Sequence, residues 1–328
     1  MSAPHDHDPD HADHAHSHDH QHGHGHNHEH AHGLGHTHAP ADFGRAFAIG
    51  VTLNGGFVLI ELIFGFFAHS LALVADAGHN FGDVIGLLLA WAATSLGKKR
   101  PTERYTYGYR RSSILAAFLN ALILLVSMGA LGWEALRRLN ISAPVAANTV
   151  IWVSFAGILI NGITAAMFMA GRKHDLNIRA AFLHMAGDAL ISAGVVIAGF
   201  VIRSTQWLWI DPVVSLVIVV LIVWSTWGLF RDSLNLSLDA VPPGIDSAAV
   251  RKFLRSLPGV VDAHDLHIWG LSTTETALTA HLVVENNVID GELLRHIHHE
   301  LEDDFNIDHV TIQLEPRGPH PCVTRRCD

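Results

Sequence analysis

The sequence predicts an α-helical membrane protein of about six transmembrane helices, followed by a small α+β domain that lies in water. Three observations predict it. Only 16% of the 328 residues are charged and 49% are hydrophobic, whereas a soluble chain carries about 25% charge. Apolar runs of roughly 20 residues, each enough to cross about 30 Å of hydrocarbon, follow one another from Ala46 to Leu229. Beyond Asp239 the pattern turns to short alternating and amphipathic segments. One apolar run could be a buried core helix, but six in succession are a membrane domain.

The chain begins with low complexity. Residues Met1 to Pro40 alternate His with Asp, Ala, Gly and Ser and hold more than half of the 27 histidines. Such a segment buries too little apolar area to fold and is expected to be disordered. It has neither the basic start nor the apolar stretch of a signal peptide. Within it, His28-Glu29-His30-Ala31-His32 matches H-E-x-x-H. That motif needs a helix presenting both histidines, so the match is read as accidental.

The spans read as Ala46–Phe67, Leu71–Leu96, Ser112–Leu136, Thr149–Ala170, Ile178–Ile202 and Ile210–Leu229. Asp211-Pro212 is read as the start of the sixth, Asp capping the helix and Pro in its first position, in preference to a metal role. Lys98, Lys99, Arg100, Arg104, Arg110 and Arg111 lie between spans two and three, and Arg172, Lys173 and Arg179 between four and five. The opposite face has Arg137, Arg138 and Arg203. The basic loops stay cytoplasmic, and an even number of spans puts both termini there.

The soluble part reads as helix Ser247–Leu257, strands Val260–Leu271 and Thr276–Glu285, helix Gly291–Phe305 and strand Val310–Leu314. That order suggests a small open-faced sandwich with its helices on one side of a sheet. The expected divisions are a His-rich cytoplasmic tail (1–43), a transport domain (44–231), a cytoplasmic domain (232–318) and a Cys-containing tail (319–328). A net charge of −10 spread over both soluble ends offers no basic patch for nucleic acid. The two cysteines, Cys322 and Cys327, exclude a disulfide-rich extracellular fold.

Ionisable side chains inside a span are costly and usually functional. The second span holds Asp76, His79 and Asp83, and the fifth holds His184 and Asp188. Both carry H-x-x-x-D, which puts His and Asp on one helix face about a turn apart. If the helices face each other, two imidazoles and two carboxylates converge on a site suited to Zn²⁺ and tolerable for Co²⁺ or Cd²⁺. A His–Asp couple could also simply lock helices together; two identical pairs in different spans favour a metal. Two carboxylates balance a bound divalent ion, and without it protons must take over. Metal and protons then compete for one site, as an antiporter requires. Asp76 and Glu61 either line the pathway or pair with polar neighbours.

The stretches HSLALVADAGHNFGDVIGLLLAW (His69–Trp91) and LNIRAAFLHMAGDALISAGVVIAG (Leu176–Gly199) resemble the signatures of the cation diffusion facilitator family. Asn54-Gly-Gly, Asp211-Pro212 and the junction RDSLNLSLDAVP (Arg231–Pro242) are similar to it too, and the resemblance runs from about Phe47 to Glu315. It implies a homodimeric, proton-coupled exporter of the plasma (bacterial inner) membrane with a ferredoxin-like cytoplasmic domain. The His-Asp/His-Asp quartet implies zinc as the substrate. The resemblance also implies a regulatory zinc at His264, His281 and Glu315, with His309, Cys322 and Cys327 as further ligands. Gln313 stands where some members have His, which puts a second metal in doubt. The loop Lys98–Arg111 has no His, so no metal site is expected there. Two other classes compete: an intramembrane metalloenzyme on the same quartet, which would need an open position and a nearby general base, and a metal sensor without transport.

Overall fold

The structure, a computed structural model, describes residues 45–140, 144–169, 176–285 and 291–317. The His-rich tail and both cysteines lie outside the described residues. Six long helices come first: α1 (Arg45–Phe67), α2 (Leu71–Gly97), α3 (Ser112–Arg138), α4 (Ala147–Phe168), α5 (Leu176–Thr205) and α6 (Ile210–Ser237). Then follow α7 (Ser247–Ser256), β1 (Val260–Gly270), β2 (Thr276–Val284), α8 (Gly291–Asp303) and β3 (His309–Pro316).

Four of the described helices, α3 to α6, contain segments long and apolar enough to cross a membrane. In α1 the apolar segment is shorter, Thr52–Phe67. In α2 the apolar run is broken by Asp76, His79, Asn80 and Asp83, the polar residues that make the helix interesting. Along the bundle α4 packs on α5, α3 on α6, and α2 on α1 and α3. Gly86 lets α3 come close to α2, since a Cβ there would lie 2.6 Å from Asn120 Nδ2. The bundle interior is filled by apolar side chains such as Ala72, Ala75, Met128, Val195 and Ile222. Outward stand Trp133, Trp152, Leu190 and Trp224. In water such a surface would aggregate; hydrocarbon is its proper solvent.

Two sequence expectations need correction. The sixth helix does not stop at Leu229 but runs to Ser237, so a division at residue 231 would cut it. Its last turns stay helical although polar, with the Ser233 and Ser237 hydroxyls donating to carbonyls of Leu229 and Ser233. Asp211 does not cap its own helix. Its carboxylate accepts from the Ser70 hydroxyl and from the backbone N–H of Leu71 and Ala72. It therefore closes the N-terminus of α2, where orphan donors need an acceptor.

The C-terminal part is a small α/β domain whose three strands lie in the order β1-β2-β3, with β1 antiparallel and β3 parallel to the central β2. The Asp246 carboxylate caps α7 by accepting from Ala248 and Ala249. Val250, Leu254, Ile297 and Leu301 of the two helices pack on Ala263, Leu278, Ala280 and Leu282 of the sheet. Strand alternation sends His281 to the opposite face. This domain touches the helical one through Arg110–Glu275 at 2.9 Å, through Arg111–Asp239, and through Thr273 N–H donating to Ser113 Oγ at 3.1 Å. The α2–α3 loop that supplies the arginines turns at Gly108 (φ +70°), where a Cβ would also meet Lys99 O at 3.3 Å.

Candidate metal centres

His79 and Asp83 sit one turn apart on α2, and His184 and Asp188 one turn apart on α5. The structure brings all four together. His79 Nε2 lies 3.6 Å from Asp83 Oδ2 and 3.6 Å from Asp188 Oδ1; His184 Nε2 lies 3.3 Å from Asp83 Oδ2 and 3.7 Å from Asp188 Oδ2. The rings meet edge to face with centroids 5.9 Å apart. Ligand atoms of His79, Asp83 and His184 all lie within 4.8 Å of one another; Asp188 closes the remaining side. In a tetrahedral site with bonds of about 2.0 Å, ligand atoms are separated by about 3.3 Å. The observed nitrogen-to-oxygen spacings are close to that edge. Among the described residues, Asp83 Oδ2 and Asp188 Oδ2, which face the cluster, are buried without a hydrogen-bond partner, as ligand atoms awaiting a cation would be; His79 Nδ1, on the far side of its ring from Nε2, is also without one.

The site is sealed on one side and open on the other. Side-chain exposure is 4% for Asp188 and 13% for His79, but 31% for Asp83 and 42% for His184. Behind the sealed side lie two other acids of the helical bundle, Asp76 and Glu61. Asp76 accepts from Ser192 Oγ at 3.0 Å, and Glu61 from Asn80 Nδ2 at 3.5 Å. Both acids are fully buried. Of the two readings open for them, the structure gives each a polar neighbour. Asn80 and Ser192 were not singled out from sequence; Asn80 lies on α2 and Ser192 on α5, the two helices that carry the quartet, and Ser192 stands one turn after Asp188.

The second cluster forms on the sheet. His264 and His281 are directly opposite in the β1–β2 ladder, and Glu315 of β3 is diagonal to His281. His264 Nε2 is 3.4 Å from Glu315 Oε2, and His281 Nδ1 is 3.0 Å from Glu315 Oε1. The rings lie 5.4 Å apart. His264 Nε2, His281 Nδ1 and Glu315 Oε2 are buried without a hydrogen-bond partner, and the trio's ligand atoms lie within 4.8 Å of one another. These atoms fit a divalent cation. Gln313 takes a different part, its amide donating to Glu315 Oε1 at 2.9 Å.

His309 does not join the trio. It opens β3, six residues before Glu315 and so about 20 Å along the strand, and stacks edge to face on Tyr107 with centroids 5.5 Å apart. Cys322 and Cys327 lie outside the described residues. A residue that the sequence reading passed over is present instead: Asp265, whose carboxylate stands 3.5 Å from His281 Nε2 and 3.2 Å from His267 Nε2.

Comparison with known proteins agrees with this architecture. The profile of the cation efflux transmembrane domain matches residues 47–236, and that of the cation efflux protein cytoplasmic domain matches residues 242–317. Zinc transporter ZitB of Escherichia coli (strain K12) is 37% identical over 289 residues, covering 87% of this chain and 91% of the relative. Metal cation efflux system protein CzcD of Cupriavidus metallidurans is 36% identical over 277 residues, covering 84% and 88%. The cadmium, cobalt and zinc/H(+)-K(+) antiporter of Bacillus subtilis (strain 168) is 35% identical over 277 residues, covering 83% and 88%. With both profiles matched in order and the relatives covered nearly end to end, the chain belongs to the cation diffusion facilitator family.

Proposed function

We propose that this protein exports Zn²⁺ from the cytoplasm in exchange for protons. The observation that carries the reading is the quartet His79, Asp83, His184 and Asp188, with nitrogen-to-oxygen spacings of 3.3 to 3.7 Å. Two nitrogens and two oxygens at tetrahedral spacing suit zinc, whose filled d shell imposes no other geometry. The ion is cargo, so the site must also exist without it. Two carboxylates left bare in a low-dielectric bundle are costly, and protons on the imidazoles or carboxylates restore neutrality while blocking the lone pairs that zinc needs. The likeness to the zinc transporter ZitB and to the cadmium, cobalt and zinc/H(+)-K(+) antiporter of Bacillus subtilis supports zinc and proton coupling.

The same reading takes α1 and α2 as spans too, giving six, with both termini cytoplasmic. The exposed half of the quartet, Asp83 and His184, is then the half nearer the basic loops. The site thus faces the cytoplasm, and Asp76, Glu61, Asn80 and Ser192 line the closed path beyond it. The soluble part is a ferredoxin-like domain that pairs two copies, supported by the match to the family's cytoplasmic dimer domain, and its trio holds a regulatory zinc.

Inside-out vesicles with an acidic interior test the proposal. Zinc uptake is expected to rise with the imposed proton gradient and collapse when an ionophore dissipates it. Uptake indifferent to the gradient would remove the exchange mechanism, and absence of uptake in correctly inserted protein would remove transport.

A further inference from the structure

The cytoplasmic trio has an outer layer that sequence does not reveal. In a regular strand the residue after His264 would point into the core face. Here it does not. The β1–β2 pairing runs His264↔His281 and then His267↔Thr279, so Asp265 and Leu266 together oppose Ala280. Two residues against one is a β-bulge, a device that re-aims a side chain. Asp265 adopts φ +50° within it, the left-handed region that Asp tolerates better than most residues. The bulge keeps the Asp265 carboxylate beside His281.

His281 consequently has a carboxylate at each ring nitrogen. Nδ1 faces Glu315 at 3.0 Å, on the side where His264 Nε2 and Glu315 Oε2 also stand without hydrogen bonds. Nε2 faces Asp265 Oδ2 at 3.5 Å. A neutral imidazole has one N–H and one lone pair, and the two must be assigned. Glu315 already receives the Gln313 amide on Oε1 and borders the converging ligand atoms, so the lone pair belongs there. The N–H belongs on the Asp265 side. We propose that Asp265 is a positioning residue that fixes the tautomer of His281, so that its Nδ1 binds a divalent cation together with His264 and Glu315. The arrangement is a carboxylate–histidine–metal relay, and it rests on the reading of the trio as a metal site.

The test uses the full-length chain in nanodiscs, with Asp83→Ala and Asp188→Ala removing the membrane site. Zinc is titrated against a chromogenic chelator, and binding lost on His264→Ala with His281→Ala is assigned to the trio. Asp265→Ala is expected to weaken that binding by about 10–100-fold. Asp265→Asn, whose amide oxygen still accepts from Nε2–H, should keep most of it, and a zinc-bound structure should show the ion on His281 Nδ1. Parental affinity in Asp265→Ala, a loss in Asp265→Asn equal to that in Asp265→Ala, or zinc on Nε2 would each overturn the assignment alone. No zinc held by the trio in the parent chain would overturn the site reading and this inference together.

Discussion

Replacing Asp211 by alanine removes the acceptor that closes α2. The Asp211 carboxylate takes the Leu71 N–H at 2.7 Å and the Ala72 N–H at 3.4 Å, along with the Ser70 hydroxyl. All these groups are buried, so no water replaces it. Ser70 continues to cap Leu73 at 3.3 Å, which leaves the Leu71 donor as the main orphan. A buried donor stripped of its partner costs about 1–3 kcal/mol, and losing a negative charge at a partly buried helix N-terminus costs up to about 2 kcal/mol. The expected loss is therefore about 1–5 kcal/mol. Asp211→Asn, which keeps an acceptor oxygen but not the charge, should fall between. Unfolding of the detergent-solubilised protein against increasing dodecyl sulfate measures both. The quartet lies further along α2, His79 being eight residues and about 12 Å beyond Leu71, so zinc affinity should fall less than stability does. Stability within about 0.5 kcal/mol of the parent, the range of an ordinary surface change, would refute the capping argument. A lost zinc affinity with stability intact would make Asp211 a ligand.

Other perturbations separate the parts of the molecule. His79→Ala, Asp83→Ala, His184→Ala and Asp188→Ala should each abolish zinc export without loss of inserted protein, measured by vesicle uptake; near-normal uptake by any two would remove the quartet from the mechanism. His79→Asp exchanges a borderline nitrogen for a hard oxygen and adds a negative charge, so zinc should lose ground to manganese or cadmium in competition assays. Deleting Met1 to Pro40 should change apparent zinc affinity but leave transport possible, because loosely held zinc on a His-rich tail supplies the site without forming it. Zinc at a hundred times its dissociation constant should stabilise the paired cytoplasmic domains by about 2.7 kcal/mol. His264→Ala with His281→Ala should erase that shift in calorimetry.

The quartet was legible because a membrane makes polarity informative. His and Asp four apart inside an apolar run have few reasons to be there, and helix geometry then fixes that they share a face. The soluble elements were legible by alternation, and their limits held to within a residue or two. What was not legible depends on partners distant in sequence. Asp211 and Ser70 are separated by 140 residues of chain and more, and a capping Asp looks the same whether it serves its own helix or another. The end of α6 was missed because Arg231, Asp232 and Ser233 look like a boundary to any hydropathy argument, yet the helix needs only backbone partners to continue. His309, at the start of the third strand, looks as good a ligand as Glu315; the register of β3 against β2 pairs His309 with Ala277 and leaves Glu315 beside His281. Asp265 was hidden by alternation itself, since a regular strand would have buried it.

The two clusters answer one electrostatic problem in opposite ways. In the bundle, two carboxylates would neutralise a divalent ion within the proposed ligand set, and the half-exposed Asp83 and His184 leave a way out. In the sheet the ligand set contains one carboxylate, Glu315, so a bound divalent ion keeps a positive charge until Asp265, outside the ligands, offsets it. The trio is also the more buried of the two, with side-chain exposure of 13% for His264, 14% for His281 and 6% for Glu315. A neutralising charge placed inside the ligand set must be compensated each time the ion leaves, which couples release to protons. Placed one layer out, in a domain bathed by water, the same charge needs no such replacement. On the proposed reading, this difference in where the charge sits suits the quartet to releasing zinc and the trio to reporting its presence.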